Sequence, residues 1–321
     1  MEGAKRSAVE RKVVRSTFFE VDIRDPDSKR RMCFIDKVHP TVTVGELKAL
    51  FNKTHPAMYP ARICFKVDPR GRAIRDEEVL KNLPVATTAV LFMFDLGPQV
   101  DKTTAFLVKY TCMFIVYLLF YLRVYPVYTE DDVCSFSPHR VVHLACICHS
   151  FHYIKCLLEA AFVHKISRGT MPLTSMVIDC TCHAIFTAWM GYYINHPLYT
   201  PPSYRLTALG MMCFTVCQLG SYFIHISLRD LHTPGRSRLP YPSPGMNPFT
   251  WPFALVSCPN YTYEVGSWLS FAVMTHTLSV WVFAVFAFIQ MAVWARERHS
   301  AYVKEFPGYP SMRRALLPLL L

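Results

Sequence analysis

Long apolar segments fill the C-terminal two thirds of the chain, and they restrict the possible folds more than any other feature. Four segments, 104–122, 141–163, 173–194 and 206–228, have about the length that a ~30 Å hydrocarbon core requires. A fifth, 249–294, is long enough to cross twice, with a break expected near 270–277. The sequence therefore predicts a multi-pass α-helical membrane domain of about six transmembrane helices.

Charged residues divide the chain in two. Residues 1–100 carry 18 Lys/Arg and 13 Asp/Glu, whereas the following 221 residues carry 16 and 10. This imbalance, in a chain of mean hydropathy +0.21, predicts a soluble domain in front of the membrane domain. The net charge of +11 is spread over short loops and helix ends, so we expect no nucleic-acid partner.

Residues 17–98 have the pattern of a small α+β domain. Segments 17–25 and 32–38 alternate apolar and polar residues as half-buried strands do, and Thr43 with Glu46 forms a capping box before a helix. A strand-like RICFKVD, a short helical EEVLKNL and a last strand TTAVLFMFDL follow. This order resembles the ubiquitin-like β-grasp fold. We expect an interaction or stability module at 17–98, after a basic extension at 1–16 and before the membrane domain at 99–321.

Basic residues predict the orientation of the helices in the membrane. With the N-terminal domain in the cytosol, ten basic residues fall on the cytosolic side and three on the opposite side, which places both termini in the cytosol. The ten are Lys165, Arg168, Arg229, Arg236, Arg238, Arg296, Arg298, Lys304, Arg313 and Arg314; the three are Arg123, Arg140 and Arg205. The polar N-terminus has no apolar region typical of a secretory signal.

The cysteines indicate neither a disulfide framework nor a metal site. Twelve are scattered along the chain, several of them inside apolar segments, which is typical of buried free thiols. Cys180 and Cys182 with His183 do not have the spacing of a common zinc site, so no metal is expected.

The segment SCPNYTYEVGSW, 257–268, places polar side chains next to long apolar segments. Asn260, Tyr261, Tyr263 and Glu264 would be costly at membrane depth unless they face a cavity, a partner or a ligand. The segment therefore predicts one wall of a binding or catalytic site.

The second predicted crossing carries a similar group. His152, Lys155 and Glu159 share one helical face, and Lys155 and Glu159 are i, i+4 partners beside Tyr153. A structural ion pair is one interpretation, and a functional site is the one we favour.

Two further groups lie near predicted helix ends. His225 and Arg229 are i, i+4; Arg229 could anchor the helix at the membrane surface or bind a phosphate. His299 and Tyr302 begin a tail that could bind a nucleotide or lie on the membrane as an amphipathic segment. Since no GxGxxG or Walker loop is present, the membrane helices would have to hold any dinucleotide.

Several motifs in order resemble a known family. HYIK, YYINHPLYTPP, the LRDL–PG turn, NPFTW, SCPNYTYEVGSW and HSAYVKEFPGYPSMRRALLPLLL are similar to those of the trans-2-enoyl-CoA reductases of very-long-chain fatty-acid elongation, in the steroid 5-alpha-reductase superfamily. The resemblance extends from about Thr17 to the C-terminus. The chain departs from it at Cys156, where we expect an arginine, and at Lys109, a charge inside the first crossing.

The resemblance implies an endoplasmic-reticulum membrane enzyme. It would use NADPH to reduce a long-chain trans-2-enoyl-CoA to the saturated acyl-CoA, the last step of each elongation cycle, and it would also serve sphingolipid metabolism. The implied partners are membrane lipid and the elongase, ketoacyl-CoA reductase and hydroxyacyl-CoA dehydratase. Two alternatives are a 3-oxo-steroid or polyprenol reductase of the same superfamily, and a non-catalytic scaffold of the elongation complex.

The resemblance also implies roles for individual residues. Tyr261 and Tyr153 are the candidates for donating a hydrogen bond or proton to the substrate, and Lys155 and Glu159 would orient or tune that acid. The residues implied for NADPH binding are Asn260, Glu264, Trp268, His225, Arg229, His299 and Tyr302.

Overall fold

The chain folds into two compact units, Met1–Gln99 and Val100–Leu321. A computed structural model describes residues 18–85, 88–124, 128, 138–163, 169–231 and 241–318. The expected basic extension at 1–16, the PG turn after LRDL and four of the ten basic residues used to predict the orientation lie outside the described residues.

The part of the first unit that the structure describes contains a four-stranded sheet and one α-helix. The elements are β1 (Phe19–Arg24), β2 (Arg31–Val38), α1 (Val44–Thr54), β3 (Ile63–Lys66) and β4 (Thr88–Asp95). The sheet order is β2-β1-β4-β3, with β1 and β4 parallel at the centre and antiparallel partners on both sides. Apolar side chains of α1, among them Leu47 and Phe51, pack into the core with Val21 and Ile23 of β1. The prediction of a β-grasp domain is confirmed.

Local sequence signals explain where α1 begins and why the predicted EEVLKNL helix is only a short turn. The capping box is formed as predicted: Thr43 accepts from the backbone of Glu46, and Glu46 accepts from the backbone of Thr43. The EEVLKNL segment forms only a 3₁₀ turn, Leu80–Asn82. Leu83 precedes a proline and is extended, which stops the helix at that point.

The second unit is a helical bundle. Among the described residues its helices are α2 (Lys102–Tyr121), α3 (Arg140–Leu158), α4 (Leu173–Asn195), α5 (Tyr204–Leu231), α6 (Pro259–Thr275) and α7 (Leu278–Glu305). Within the described residues, α2, α4, α5, α7 and the span Arg140–Val163 are long and apolar enough to cross a membrane. The multi-pass membrane prediction is therefore confirmed for five helices. The other predicted crossing corresponds to α6, whose 17 residues rise only ~25 Å.

Two irregular points matter for the site. α3 continues into a π-helical turn, Glu159–Val163, which begins at one of the predicted site residues. Such turns are uncommon and frequently occur at functional sites. α6 ends at His276, whose left-handed backbone (φ 50°) separates α6 from α7 inside the range where the break was expected.

α2 and α4 begin at the same end of the bundle. β5 (Gln99–Asp101) pairs with β6 (Thr170–Pro172), and each strand leads directly into its helix. Asp101 caps α2 by accepting from the backbone of Thr103 and Thr104.

α5 and α6 pack closely because of glycine. A Cβ placed on Gly220 of α5 would lie 2.5 Å from the ring of Tyr263 of α6. The hydroxyl of Tyr263 donates to the backbone oxygen of Phe249. Tyr263, which sequence reasoning left without a role, is therefore a packing residue.

Candidate active site

A buried hydrogen-bonded group joins α3, α5 and α6. The side-chain amide of Gln218 donates to Nδ1 of His152 at 3.0 Å, so Nε2 of His152 carries the proton that faces Oε1 of Glu264 at 3.2 Å. The indole of Trp268 donates to the same Glu264 oxygen at 3.1 Å. Glu264 is thus held in one orientation by two donors, as residues of a preorganised site are.

Tyr153 lies in the aromatic core beside this group. It is 3% exposed, and its ring centre is 4.9 Å from that of His152 and 6.3 Å from that of Trp268. Tyr110 of α2 and His149 of α3 also contact it, with ring centres at 6.2 and 4.7 Å. A phenol in this position is shielded from bulk water, which strengthens the hydrogen bonds that it can form.

Lys155 and Glu159 form a second group with α5. Nζ of Lys155 lies 3.9 Å from Oε1 of Glu159, and Nδ1 of His225 lies 2.9 Å from Oε2 of the same carboxylate. Lys155 and Glu159 are both buried. Arg229, one turn beyond His225, is partly exposed near the end of α5 and lies 3.4 Å from Asp230.

The start of α6 holds Asn260 and Tyr261, both half-buried. The ring of Tyr261 lies 6.2 Å from that of Trp294, and burial raises the pKa of its phenol against the opposing charge of Arg298. Cys258, just before the helix, is buried, and burial raises the pKa of its thiol to about 12 against the opposing effect of Arg298. Cys258 is therefore a neutral packing residue and not a nucleophile.

The C-terminal tail folds back against the start of α6. Backbone hydrogen bonds join Ser257 to Arg314 and Cys258 to Ala315, and the hydroxyl of Thr262 donates to the carbonyl of Leu316 at 2.6 Å. The tail is thus docked on the bundle through its backbone. The alternative of an amphipathic tail does not fit this arrangement, because the tail contacts protein along residues 314–316.

His299 and Tyr302 lie inside this docked region. Ser257 Oγ is 2.7 Å from Nδ1 of His299 and accepts from the hydroxyl of Tyr309 at 2.7 Å. Tyr302 stacks on Tyr309, with ring centres 5.7 Å apart. Arg313 lies over the Tyr309 ring and donates to the carbonyl of Pro242 at 2.7 Å, so it fixes the position of the tail.

The structure thus arranges the predicted residues in two regions that α6 connects. The first contains Tyr153 with Glu264 and Trp268, and it is next to the Lys155–Glu159–His225 group. The second contains Asn260, Tyr261, His299 and Tyr302. His225, expected at the cofactor, is bonded to Glu159, expected at the reacting centre.

Sequence reasoning missed Gln218 and Tyr309. Gln218 is a polar residue inside an apolar helix, so the argument that identified Glu264 could have found it. Tyr309 has no such signal, because its contact with Ser257 depends on how the tail folds back.

Known protein families match both units. Residues 19–95 match the family described as TECR, ubiquitin-like domain, and residues 169–321 match 3-oxo-5-alpha-steroid 4-dehydrogenase. A Homo sapiens protein named trans-2,3-enoyl-CoA reductase-like is 42% identical over 96% of this chain and 85% of its own length. The very-long-chain enoyl-CoA reductase of Dictyostelium discoideum is 34% identical over 88% and 93%, respectively. A probable very-long-chain enoyl-CoA reductase of Caenorhabditis elegans is 36% identical over 89% and 94%.

Proposed function

The chain belongs to the trans-2,3-enoyl-CoA reductase family, and we propose that it reduces the trans-2 double bond of a long-chain enoyl-CoA with NADPH as the hydride donor. The observation that carries this proposal is the buried group of His152, Gln218, Glu264 and Trp268 beside the phenol of Tyr153. It puts oriented polar side chains next to a shielded proton donor inside an apolar bundle.

The family implies a nicotinamide cofactor, and the residues present fit one. Nζ of Lys155 is buried without a hydrogen-bond partner among the described residues, which suits a polar ligand group. The basic side chains Arg229, Arg298 and Arg314 are suited to phosphates. We assign Asn260, Glu264, His225, Arg229, His299 and Tyr302 to NADPH, with Trp268 in a supporting role.

Trp268 and Glu264 have unequal parts in this assignment. The buried indole of Trp268 supports Glu264, and we assign the cofactor contact to the half-buried carboxylate. His299 and Tyr302 are held by Ser257 and Tyr309, so they can keep one position for the cofactor in the second region.

The reaction adds a hydride to the β-carbon and a proton to the α-carbon. Bound NADPH supplies the hydride, and negative charge develops on the thioester oxygen. We assign the hydrogen bond to that oxygen to Tyr261, whose neighbour Arg298 adds positive charge. We assign the proton for the α-carbon to Tyr153, the more deeply buried phenol. We assign Lys155 and Glu159, which follow Tyr153 along the chain, to orienting the proton donor.

We also propose a substrate orientation and a cell context that agree with the family assignment. A CoA head carrying phosphates fits the basic end of the bundle, and the acyl chain fits its apolar helices. We place the protein in the endoplasmic-reticulum membrane with both termini in the cytosol. There it would act with an elongase, a ketoacyl-CoA reductase and a hydroxyacyl-CoA dehydratase in the last reductive step of the elongation cycle, and it would also supply sphingolipid metabolism.

A direct assay tests the proposal. Microsomes containing the full chain should oxidise NADPH when a C16 trans-2-enoyl-CoA is added and should form the saturated acyl-CoA. The match of residues 169–321 to a steroid dehydrogenase family favours a second candidate, a 4-ene-3-one steroid as substrate. Turnover of the steroid without turnover of the enoyl-CoA would overturn the first assignment. A non-catalytic scaffold protein would turn over neither the enoyl-CoA nor the steroid.

A further inference from the structure

Two hydrogen-bonded pairs join α3 to α5 at the same spacing. Gln218 donates to Nδ1 of His152 at 3.0 Å, and Nδ1 of His225 lies 2.9 Å from Oε2 of Glu159. In each pair the two residues are 66 positions apart along the chain. Because the later residue of α3 meets the later residue of α5, the two helices run in the same direction and their side chains meet in register.

A third level lies between these two pairs and consists of Lys155 on α3 and Ser221 on α5, which have the same offset. Ser221 follows Gln218 by three residues and precedes His225 by four, so the three side chains share one face of α5. The level is ~4.5 Å along the helix from Gln218. Nζ of Lys155 is 3.9 Å from Oε1 of Glu159, which places the ammonium group beside the second pair. Lys155 and Ser221 therefore face the same space between α3 and α5.

Three polar atoms around this space are buried without a hydrogen-bond partner in the ranges that the structure describes. They are Nζ of Lys155, Oγ of Ser221 and Oε1 of Gln218. Lys155 is 9% exposed, Gln218 2% and Ser221 1%. Buried polar atoms without hydrogen bonds are destabilising, and native proteins keep few of them. Three such atoms on adjacent levels of one interface indicate a place for a bound polar group.

The chemistry of the three atoms defines that group. The ammonium of Lys155 can only donate hydrogen bonds, Oε1 of Gln218 can only accept them, and the hydroxyl of Ser221 can do either. Glu159 balances the charge of Lys155, so the level has no excess positive charge to attract a phosphate. A neutral group that carries both a carbonyl oxygen and an NH₂, a primary carboxamide, has a partner for all three atoms.

We propose that Lys155, Ser221 and Gln218 bind the carboxamide of the nicotinamide ring and so hold the hydride-donating end of NADPH. Lys155 and Ser221 donate to the carboxamide oxygen, and Gln218 accepts from the carboxamide nitrogen while its own NH₂ stays bonded to His152. The inference rests on the proposed function, in which NADPH is the hydride donor. It deepens that function by assigning one end of the cofactor to named residues.

The position agrees with the role assigned to Tyr153. This phenol, assigned to the α-carbon, precedes Lys155 by two residues, and its ring centre is 4.9 Å from that of His152, which Gln218 holds. A carboxamide bound at this level therefore belongs to a ring in the first region of the site, where the proton donor lies. The second region is left for the rest of the cofactor.

Water is the competing occupant, and a cofactor analogue separates it from the carboxamide. In the reduced 3-acetylpyridine analogue of NADPH a methyl group replaces the carboxamide NH₂, so the analogue keeps the oxygen and lacks the donor to Gln218. Dissociation constants of both ligands should be measured by calorimetry on the full chain in lipid nanodiscs, without substrate. The variants are Gln218→Met and Ser221→Ala, and the control is Thr215→Val, at an exposed position of α5.

We expect the wild type to bind NADPH about tenfold more tightly than the analogue, because the analogue leaves the buried Oε1 of Gln218 without a donor. Gln218→Met should abolish this preference, since it weakens the binding of NADPH more than that of the analogue. Ser221→Ala should weaken both ligands several-fold and keep the preference, because both ligands carry the oxygen that its hydroxyl binds. Thr215→Val should match the wild type.

Three results would overturn this site. One is a wild-type protein that binds NADPH and the analogue equally, a comparison that requires no variant. The second is a stably folded Gln218→Met protein that keeps the full preference for NADPH, and the third is a Ser221→Ala protein with unchanged affinity for both ligands. A wild-type protein that binds neither ligand and does not reduce the enoyl-CoA overturns the proposed function itself.

Discussion

Nδ1 of His225 lies 2.9 Å from Oε2 of Glu159, and this contact links a residue that the sequence placed at the cofactor to one that it placed at the reacting centre. Lys155 approaches the other oxygen of the same carboxylate at 3.9 Å. Glu159 therefore connects α3 to α5 at the π-helical turn where α3 loses its regular geometry. A change at Glu159 should affect both stability and activity.

Glu159→Gln should destabilise the protein, by about 3–5 kcal/mol, because it leaves the buried Lys155 without its counter-charge. Replacing both residues, Lys155→Met with Glu159→Leu, should recover only part of the thermal stability, because His225 loses the acceptor Oε2 of Glu159, and should not recover reductase activity. Thermal unfolding and NADPH oxidation, measured on the same preparations, check this. Recovery of activity in the double variant would show that the pair is only structural.

Removing the hydroxyl of Tyr261 and removing that of Tyr153 should slow different steps of the reaction. Tyr261→Phe should slow hydride transfer by ~10²-fold or more, since removing one donor to a developing oxyanion costs that much. Tyr153→Phe should permit the first hydride transfer and slow the protonation that follows. Single-turnover NADPH oxidation measures the first step, and steady-state product formation measures the whole cycle. Identical losses in both assays for both variants would contradict the division of roles.

The outline of the candidate site could be predicted from sequence, because a polar residue inside an apolar helix is informative wherever it occurs. That rule found Glu264, Lys155 and Glu159, and the positions of the helix ends followed from apolar length and from signals such as the capping box at Thr43. The same rule could not identify the hydrogen-bond partners of these residues. The contact between His152 and Gln218 joins residues on α3 and α5, and it depends on how the two helices pack.

The sequence also could not show which residues only support others. Trp268 matched the family pattern for the cofactor, yet its indole nitrogen donates to Glu264. Tyr263 is the same residue type as Tyr261 and lies in the same segment. Because Gly220 has no side chain, the ring of Tyr263 can pack between α5 and α6.

Ser257→Ala should weaken cofactor binding and leave the chemistry largely intact. Its hydroxyl connects Tyr309 to His299, and loss of this link removes hydrogen bonds worth ~1 kcal/mol each, or several-fold in affinity. We therefore expect KM for NADPH to rise several-fold with kcat little changed. Steady-state kinetics at varied NADPH check this. Ser300→Ala, an exposed serine next to His299, should behave as the wild type.

Gly220→Ala should destabilise the bundle, because the new methyl group would overlap the ring of Tyr263 at 2.5 Å. Overpacking of this kind costs about 1–3 kcal/mol. Gly308→Ala is the matched control, since a Cβ at Gly308 meets no atom within 4 Å. The thermal midpoints of the two variants should therefore differ, with only Gly220→Ala below the wild type. Equal midpoints would show that α5 and α6 can separate without cost.

The β-grasp unit should lose stability in acid through Asp22. This carboxyl is 1% exposed, and burial raises its pKa, but hydrogen bonds and ion pairs from Arg31 and Arg24 outweigh burial and hold the pKa below its usual value. With the folded pKa below the unfolded value of about 3.9, the contribution is fully present above that value. It is lost as the pH falls through the folded pKa.

Amide hydrogen exchange of Phe19–Arg24 in the full chain measures this effect, once the intrinsic pH dependence of exchange is removed. Protection of these amides should fall as the pH is lowered below about 4, because the folded pKa of Asp22 lies below the unfolded value. Asp22→Asn should have less protection at pH 7 and should lose this dependence on acid. Asp27→Asn, at an exposed turn position next to β1, should keep the wild-type profile. An unchanged profile in the Asp22 variant would show that other carboxylates, such as Asp95 paired with Arg62, control the acid stability of the sheet.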